Sequence, residues 1–493
     1  MHTLTLKISP SSLRYQTKKT SFEPIPIDDF RKALLDKLLE SVQAAPPKTL
    51  VSFADRGVPG AGLDRPEECG WTFMINRDDT QEGQDIIKAI KRLAIHRQMD
   101  GIDSPLTFNN LPEDSWDGWL DDYSTTIKGQ DGIPPQYILI IGSTKDIPLE
   151  FQSKLSAEYF VGRLEGSIAE IKSYVDKIVD IEKLDQSPTS NHVTFFATDH
   201  QTDSSGCYDP TYLWRHDVES ELINDVRGLK NKYRLADDFE IDDDCVGVIK
   251  NGKGATKANL ENSIKEKKPC LVYAAGWGMF APGQDMAIQK KFTGALICHN
   301  DSTNVFDSVF TADDVSHNSA FLEGGVFFSH SSFSYGAPYK NRLVDCIVGS
   351  NKWSFSEQIA TNDFISSLPK KLVFHPNGPL AFVGHFDDIL TMVYKNGESF
   401  DETRRKIALN PISRALQNLL LRRPVGYALT WLSKRHSSLG NTLGDLALEI
   451  HKLERNDLTE QSHQELTNRL IDTYLKKYQS ENYMIFGDPA AHI

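Results

Sequence analysis

Residues 137–142 read Tyr-Ile-Leu-Ile-Ile-Gly, an unbroken apolar run closed by a glycine. A strand with one wet face alternates apolar and polar residues. A continuous run is expected where both faces are covered, as in a parallel sheet flanked by helices. The same texture recurs downstream. Short strands are expected at Tyr159–Val161, His192–Thr198, Val246–Ile249, Leu271–Ala275, Gly294–Cys298, Gly325–Ser329 and Leu380–Val383, with a terminal strand at Tyr483–Phe486. Between them Ile168, Ile171, Val175, Ile178 and Val179 repeat at helical spacing, and Thr256 is placed to cap a helix over Lys257–Lys265. Further helices are expected over 213–232 and near 401–421 and 441–455. Strands that alternate with helices and end in small residues predict an α/β fold with a mostly parallel sheet.

Upstream the pattern is looser. Asp28 or Asp29 can cap a helix with Phe30, Ala33, Leu34, Leu38 and Val42 on its apolar face, stopped by Pro46-Pro47. Residues 50–82 are rich in Gly, Pro and Asp and read as loop around a short strand, Trp71–Ile75. A second helix carries Ile86, Ile90, Leu93 and Arg97 on one face, and the polar, proline-containing stretch 99–135 suggests a boundary. The chain thus divides into an N-terminal α/β subdomain (1–130), a core with the decisive strand ends (131–345) and a C-terminal part that completes the sheet (346–493).

The chain has 493 residues, 39% hydrophobic and 10% aromatic, enough to bury a substantial core. Its 54 Lys+Arg against 68 Asp+Glu give a net charge of −14. That balance argues against nucleic acid or an anionic membrane as partner, since both demand a positive footprint. No apolar run approaches the ~20 residues of a membrane-spanning helix. The N-terminus lacks a charged region followed by an apolar one, so no secretory leader is expected. Cys69, Cys207, Cys245, Cys270, Cys298 and Cys346 are scattered, with no CxxC pair. That pattern fits a reducing compartment, and a soluble cytoplasmic protein is expected.

In open α/β sheets, reactive groups gather beyond the carboxyl ends of strands. Two such ends stand out: Ala274-Ala-Gly-Trp-Gly-Met279 and Ser329-His-Ser-Ser-Phe-Ser-Tyr-Gly-Ala-Pro338. Both turn on small residues that let backbone amides face a shared cleft.

The order of motifs resembles the gingipain-type cysteine peptidases of the caspase-like group. Tyr137–Gly142 with Asp146-Ile-Pro148 is similar to that family's early strand and turn, and Tyr159-Phe-Val-Gly-Arg-Leu164 to the segment after it. Leu380-Ala-Phe-Val-Gly-His385 and Asn482-Tyr-Met-Ile-Phe-Gly-Asp-Pro489 resemble the later strand and the closing signature. The likeness covers roughly residues 135–490. It implies a caspase/gingipain-like sheet and a Cys–His dyad, in which a thiolate attacks the scissile carbonyl and an imidazole moves the proton.

Carried onto this chain, the family's His turn becomes Ala275-Gly276-Trp277-Gly278, with Trp277 at the His position. The Cys position falls on Ser332, or on Ser331 if the register slips by one. Indole has no basic nitrogen, and a hydroxyl without a base is a poor nucleophile beside a thiolate. The implied reading is therefore a pseudopeptidase that works by binding a polypeptide or a partner protein. An active homologue is one candidate partner.

The alternative is an active cysteine- or serine-type endopeptidase with a rearranged or partner-activated site. His330 and Ser332 are two residues apart, with Asp285 or Asp301 as possible orienters, but neighbours on one strand rarely hold the geometry a base needs. Cys298, beside His299, reads as a small buried strand residue, and His385 as a strand-end scaffold residue. The cleft candidates are then Gly276, Gly278, His330, Ser331 and Cys298 around the dyad positions.

No cofactor or metal is expected. Gly252-Lys-Gly-Ala-Thr-Lys257 lacks phosphate-loop spacing, and the acidic stretch Asp237–Asp244 lacks the ligand spacing of a calcium loop. His192 and His200 form only a weak pair.

Overall fold

The computed structural model describes residues 62–99, 101, 104–126, 134–184, 188–198, 210–233, 241–242, 254–281, 284–299, 308–317, 319–339, 360–389, 395–396, 399–400, 402–454 and 460–493. The helix expected at residues 30–42, the strand Val246–Ile249, most of Asp237–Asp244, His200, Asp301, Cys207, Cys245 and Cys346 lie outside them.

In chain order the first strands are β1 (Trp71–Ile75), β2 (Leu106–Thr107), β3 (Tyr137–Ile141), β4 (Phe160–Leu164), β5 (Val193–Ala197) and β6 (Ile241–Asp242). Next come β7 (Leu271–Ala275), β8 (Trp277–Gly278), β9 (Leu296–Ile297), β10 (Val309–Phe310), β11 (Val326–His330) and β12 (Gly336–Ala337). The last are β13 (Phe364–Ile365), β14 (Ala381–His385), β15 (Lys395–Asn396), β16 (Ser399–Phe400) and β17 (Tyr483–Gly487). Ten of them make one sheet in the order β2-β1-β3-β4-β17-β14-β11-β7-β5-β6. Strands β1 to β4 are mutually parallel, as are β14, β11, β7, β5 and β6. Between the two groups lies β17, antiparallel to β14.

The unbroken apolar runs are explained by cover on both faces. Phe73, Ile75, Tyr137, Leu139 and Ile141 join one core layer, while the alternating Met74, Ile138 and Ile140 join another beneath helix Trp116–Thr126. Each strand thus presents apolar residues at period two to both sides. On the first face lie helices Gln81–His96 and Ile168–Glu182. Thr80 caps the former by accepting from Gly83 N–H at 3.0 Å, and Ser167 with Glu170 forms a capping box on the latter. Strands β1 and β2, from the segment before residue 130, belong to this same sheet through the β1–β3 pairing.

The motifs that carry the family resemblance build scaffold here. Arg163 is fully buried and donates to Gln152 Oε1 and Ile147 O at 2.7 Å and to Gly142 O at 3.2 Å, tying down the turn after β3. A Cβ at Gly162 would lie 2.2 Å from the Gly487 carbonyl, so these two motif glycines are in backbone contact. Asp488 accepts from Trp71 Nε1 at 2.9 Å and pairs with Arg97 at 2.8 Å.

Three expectations differ in detail. Gly294–Cys298 yields only β9, which joins β8 and β10 in a separate three-stranded antiparallel sheet. The helix near 441–455 spans Thr430–Glu454, and it packs against a further long helix, Glu460–Glu481. The polar stretch 99–135 contains β2 and helix Trp116–Thr126. Among the described residues no helix is long and apolar enough to cross a membrane.

Candidate functional site

Strands β5, β7, β11 and β14 point the same way, so their carboxyl ends lie side by side. At the centre Ala275 pairs with His330, and Gly276 N–H donates to His330 O at 3.3 Å. Beyond this point the two chains touch. A Cβ at Gly278 would sit 1.8 Å from the Ser332 carbonyl oxygen, so only glycine fits there. Positions 277 and 332 therefore stand on adjacent strand tips.

Trp277 is buried, its ring edge-on to Trp214 with centroids 5.4 Å apart. Trp214 belongs to helix Pro210–Asp217, which runs through a π-helical turn, Val218–Leu222, into Ile223–Tyr233. The same indole meets His330 edge-on at 5.6 Å. His330 is stacked between Tyr273 at 6.3 Å and Tyr483 at 6.1 Å, and its Nδ1 is hydrogen-bonded to the Tyr483 hydroxyl. Burial pushes its pKa down to about 3, so the ring is neutral at pH 7. Its Nε2 has no partner among the described residues, nor do Trp214 Nε1 and Thr198 Oγ1.

Ser332 is fully buried in the turn after β11. Its Oγ accepts from Ile389 N–H at 3.0 Å, and the Asp388 carboxyl lies beside it. The next residue, Phe333, sits at φ +58° and donates its N–H to Asp387 O at 3.0 Å, so the turn is anchored on the residues after β14. Burial first, and then the neighbouring Asp387 charge, push the Asp388 carboxyl up to about 8. At neutral pH it is protonated, a donor rather than a base. Asp388 is partly exposed as a residue, yet its Oδ1 is buried without a partner.

The other candidates fall as follows. Ser331 is buried with its Oγ 2.9 Å from Ser329 Oγ. Among the described residues no Ser332–His330 hydrogen bond forms: Ser332 Oγ accepts from Ile389 N–H, and His330 is held through Nδ1 by the Tyr483 hydroxyl while its Nε2 meets neither serine nor any other partner. Cys298 is buried, and desolvation holds its thiol well above the usual range, so it is not a thiolate. Asp285 caps helix Met286–Phe292 and orients no histidine. His385 is buried, with Nδ1 2.6 Å from Asp387 O and Nε2 3.2 Å from Gln479 O. Thr256 is the N-cap expected, accepting from Asn259 N–H at 3.2 Å. No group of His, Cys, Asp and Glu among the described residues could hold a metal.

Sequence reasoning missed Trp214, Thr198 and Asp388. Trp214 and Thr198 reach the site from distant segments. The acidic pair Asp387-Asp388 directly after a strand end was a signal that could have been used. Comparison with protein-family models, curated proteins and solved structures finds no match.

Proposed function

We propose that this chain is a pseudopeptidase of the caspase/gingipain-like kind, acting by binding a polypeptide or partner protein. One observation carries the reading. The Gly278–Ser332 contact holds positions 277 and 332 on neighbouring strand tips, where a dyad would need imidazole and thiol, and an indole and a hydroxyl stand there instead. The indole cannot accept a proton, and the hydroxyl is buried, accepts from the Ile389 N–H and lies beside a protonated acid. Trp277, Trp214 and His330 pack edge-on against one another at these strand tips. An active homologue is a natural partner for such a scaffold.

The test is incubation of the whole protein with a broad peptide library and with acylating probes for serine and thiol. No turnover and no labelling are expected. Turnover abolished by Ser332→Ala or Cys298→Ala would overturn the reading.

A second reading, a serine-type endopeptidase, has one observation in its favour: the Asp388 carboxyl lies beside the Ser332 hydroxyl. It requires activity that rises through about pH 8 as Asp388 ionises and that disappears in Asp388→Asn.

A further inference from the structure

Trp277, His330 and Ser332 at the strand tips are all buried, so a surface for a polypeptide lies among the exposed side chains. On the C-terminal helices two large apolar side chains stay open to solvent, Ile407 at 56% and Trp431 at 46% exposure. They lie on the packed helices Glu402–Leu420 and Thr430–Glu454. Arg435, one turn after Trp431 and so on its face of the helix, donates from Nη1 to the Ile407 carbonyl at 2.7 Å. The turn that carries Ile407 is thereby tied to the turn that carries Trp431.

This patch is cationic in a chain of net charge −14. The Arg414 guanidinium lies 5.8 Å and the Lys434 ammonium 5.6 Å from the Trp431 ring centroid. Arg414 bonds the neutral Gln417 side chain at 3.2 Å, and among the described residues neither cation pairs with a carboxylate. An exposed indole flanked by unpaired cations is the composition of a binding hot spot. Its charge complement is acidic. Nucleic acid fits less well, since a phosphate backbone calls for a longer basic track.

We propose that the Trp431 face of these two helices docks an acidic polypeptide segment carrying an aliphatic or aromatic anchor. The anchor covers Trp431 and Ile407 while acidic side chains meet Arg414 and Lys434. This rests on the polypeptide-binding half of the reading above and not on the loss of the dyad.

The probe is a fluorescein-labelled peptide of about twelve residues, glutamate-rich around a central Leu-Phe pair, followed by anisotropy with the full chain. Its counterpart carries lysine for glutamate, and a thymidine strand of similar length is the third ligand. Binding about tenfold or more tighter for the acidic peptide is expected, weakened about tenfold by Trp431→Ala and further by Arg414→Glu with Lys434→Glu. Trp431 is exposed and Arg414 and Lys434 are half-buried, so a urea midpoint that stays unchanged accompanies the loss. Equal binding of the two peptides, insensitivity to Trp431→Ala, or tighter binding of the thymidine strand would overturn the proposal. Turnover at Ser332 with docking intact would remove only the pseudopeptidase reading, and loss of docking with no turnover would remove only this one.

Discussion

The two ends of β14 treat buried polar groups in opposite ways. Beside its amino end Arg97 donates to both Asp488 and Glu182 at 2.7–2.8 Å, Trp71 Nε1 donates to Asp488, and Asp488 N–H donates to the Tyr174 hydroxyl at 2.7 Å. No side-chain polar atom of these residues is left without a partner. Around its carboxyl end His330 Nε2, Trp214 Nε1, Thr198 Oγ1 and Asp388 Oδ1 are buried without one among the described residues. A closed network specifies the fold. Orphaned groups each carry a desolvation penalty, and several gathered at strand tips mark a place shaped by something other than stability.

The largest consequence lies at the closed end. Arg97→Met removes the cation shared by Glu182 and Asp488, whose side chains are 2% and 0% exposed, and leaves Glu182 only its His96 and His492 contacts. Breaking a buried pair in this way costs about 3–5 kcal/mol, and the urea midpoint should fall accordingly. Arg97 holds the Glu182 carboxyl down to about 2, against the cost of burial. In the native protein that contribution is present above the ordinary carboxylate range and is lost as pH falls from about 4.5 toward 2. A midpoint unmoved by Arg97→Met would mean the two ends do not differ in the way proposed.

At the open end the sign reverses. Asp388 keeps its proton up to about pH 8 in the folded chain, whereas an unfolded aspartate releases it near pH 4. Folding is therefore progressively disfavoured as pH rises from about 4 to about 8, with no further change above. His330, held at about 3 by burial, contributes in the other direction below pH 6.5, so the wild-type profile alone mixes the two. The difference between Asp388→Asn and wild type isolates the carboxyl. The variant should gain relative stability across pH 4–8 in urea midpoints taken through that range. A difference independent of pH would show that Asp388 ionises normally and that this end is solvated.

Much of this contrast was legible in the sequence at the level of fold and little at the level of chemistry. Apolar runs such as Tyr137–Ile141 announce a doubly covered strand because burial on both faces is a local property of composition. Pairing is not local. Gly294–Cys298 has the same texture, yet its neighbours draw Leu296–Ile297 into a small antiparallel sheet with Trp277 and Gly278. Helix Glu460–Glu481 was missed because Gln, Ser, Thr and Asn dilute its apolar stripe. The positions 277 and 332 were named from motif order alone. What surrounds them was not, since Trp214 and Asp388 arrive from segments more than fifty residues away from their contacts.

The finest test uses one strand and one substitution. Thr194 and Thr198 are both fully buried, four residues apart, and so on the same side of β5 and its continuation. Thr194 Oγ1 is hydrogen-bonded to Ser263 Oγ at 2.8 Å, while Thr198 Oγ1, at the strand tip beside Gly276, has no partner among the described residues. Thr→Val keeps the shape and deletes the hydroxyl. Thr194→Val should cost about 1 kcal/mol, the net worth of an ordinary hydrogen bond. Thr198→Val should stabilise by up to about 1 kcal/mol, because it removes a buried polar group that gains nothing in return. Urea midpoints that move in opposite directions would tie the orphaned groups to the strand tips. If Thr198→Val instead destabilises as Thr194→Val does, its hydroxyl is partnered in solution, and the contrast between the two ends of the sheet loses its sharpest member.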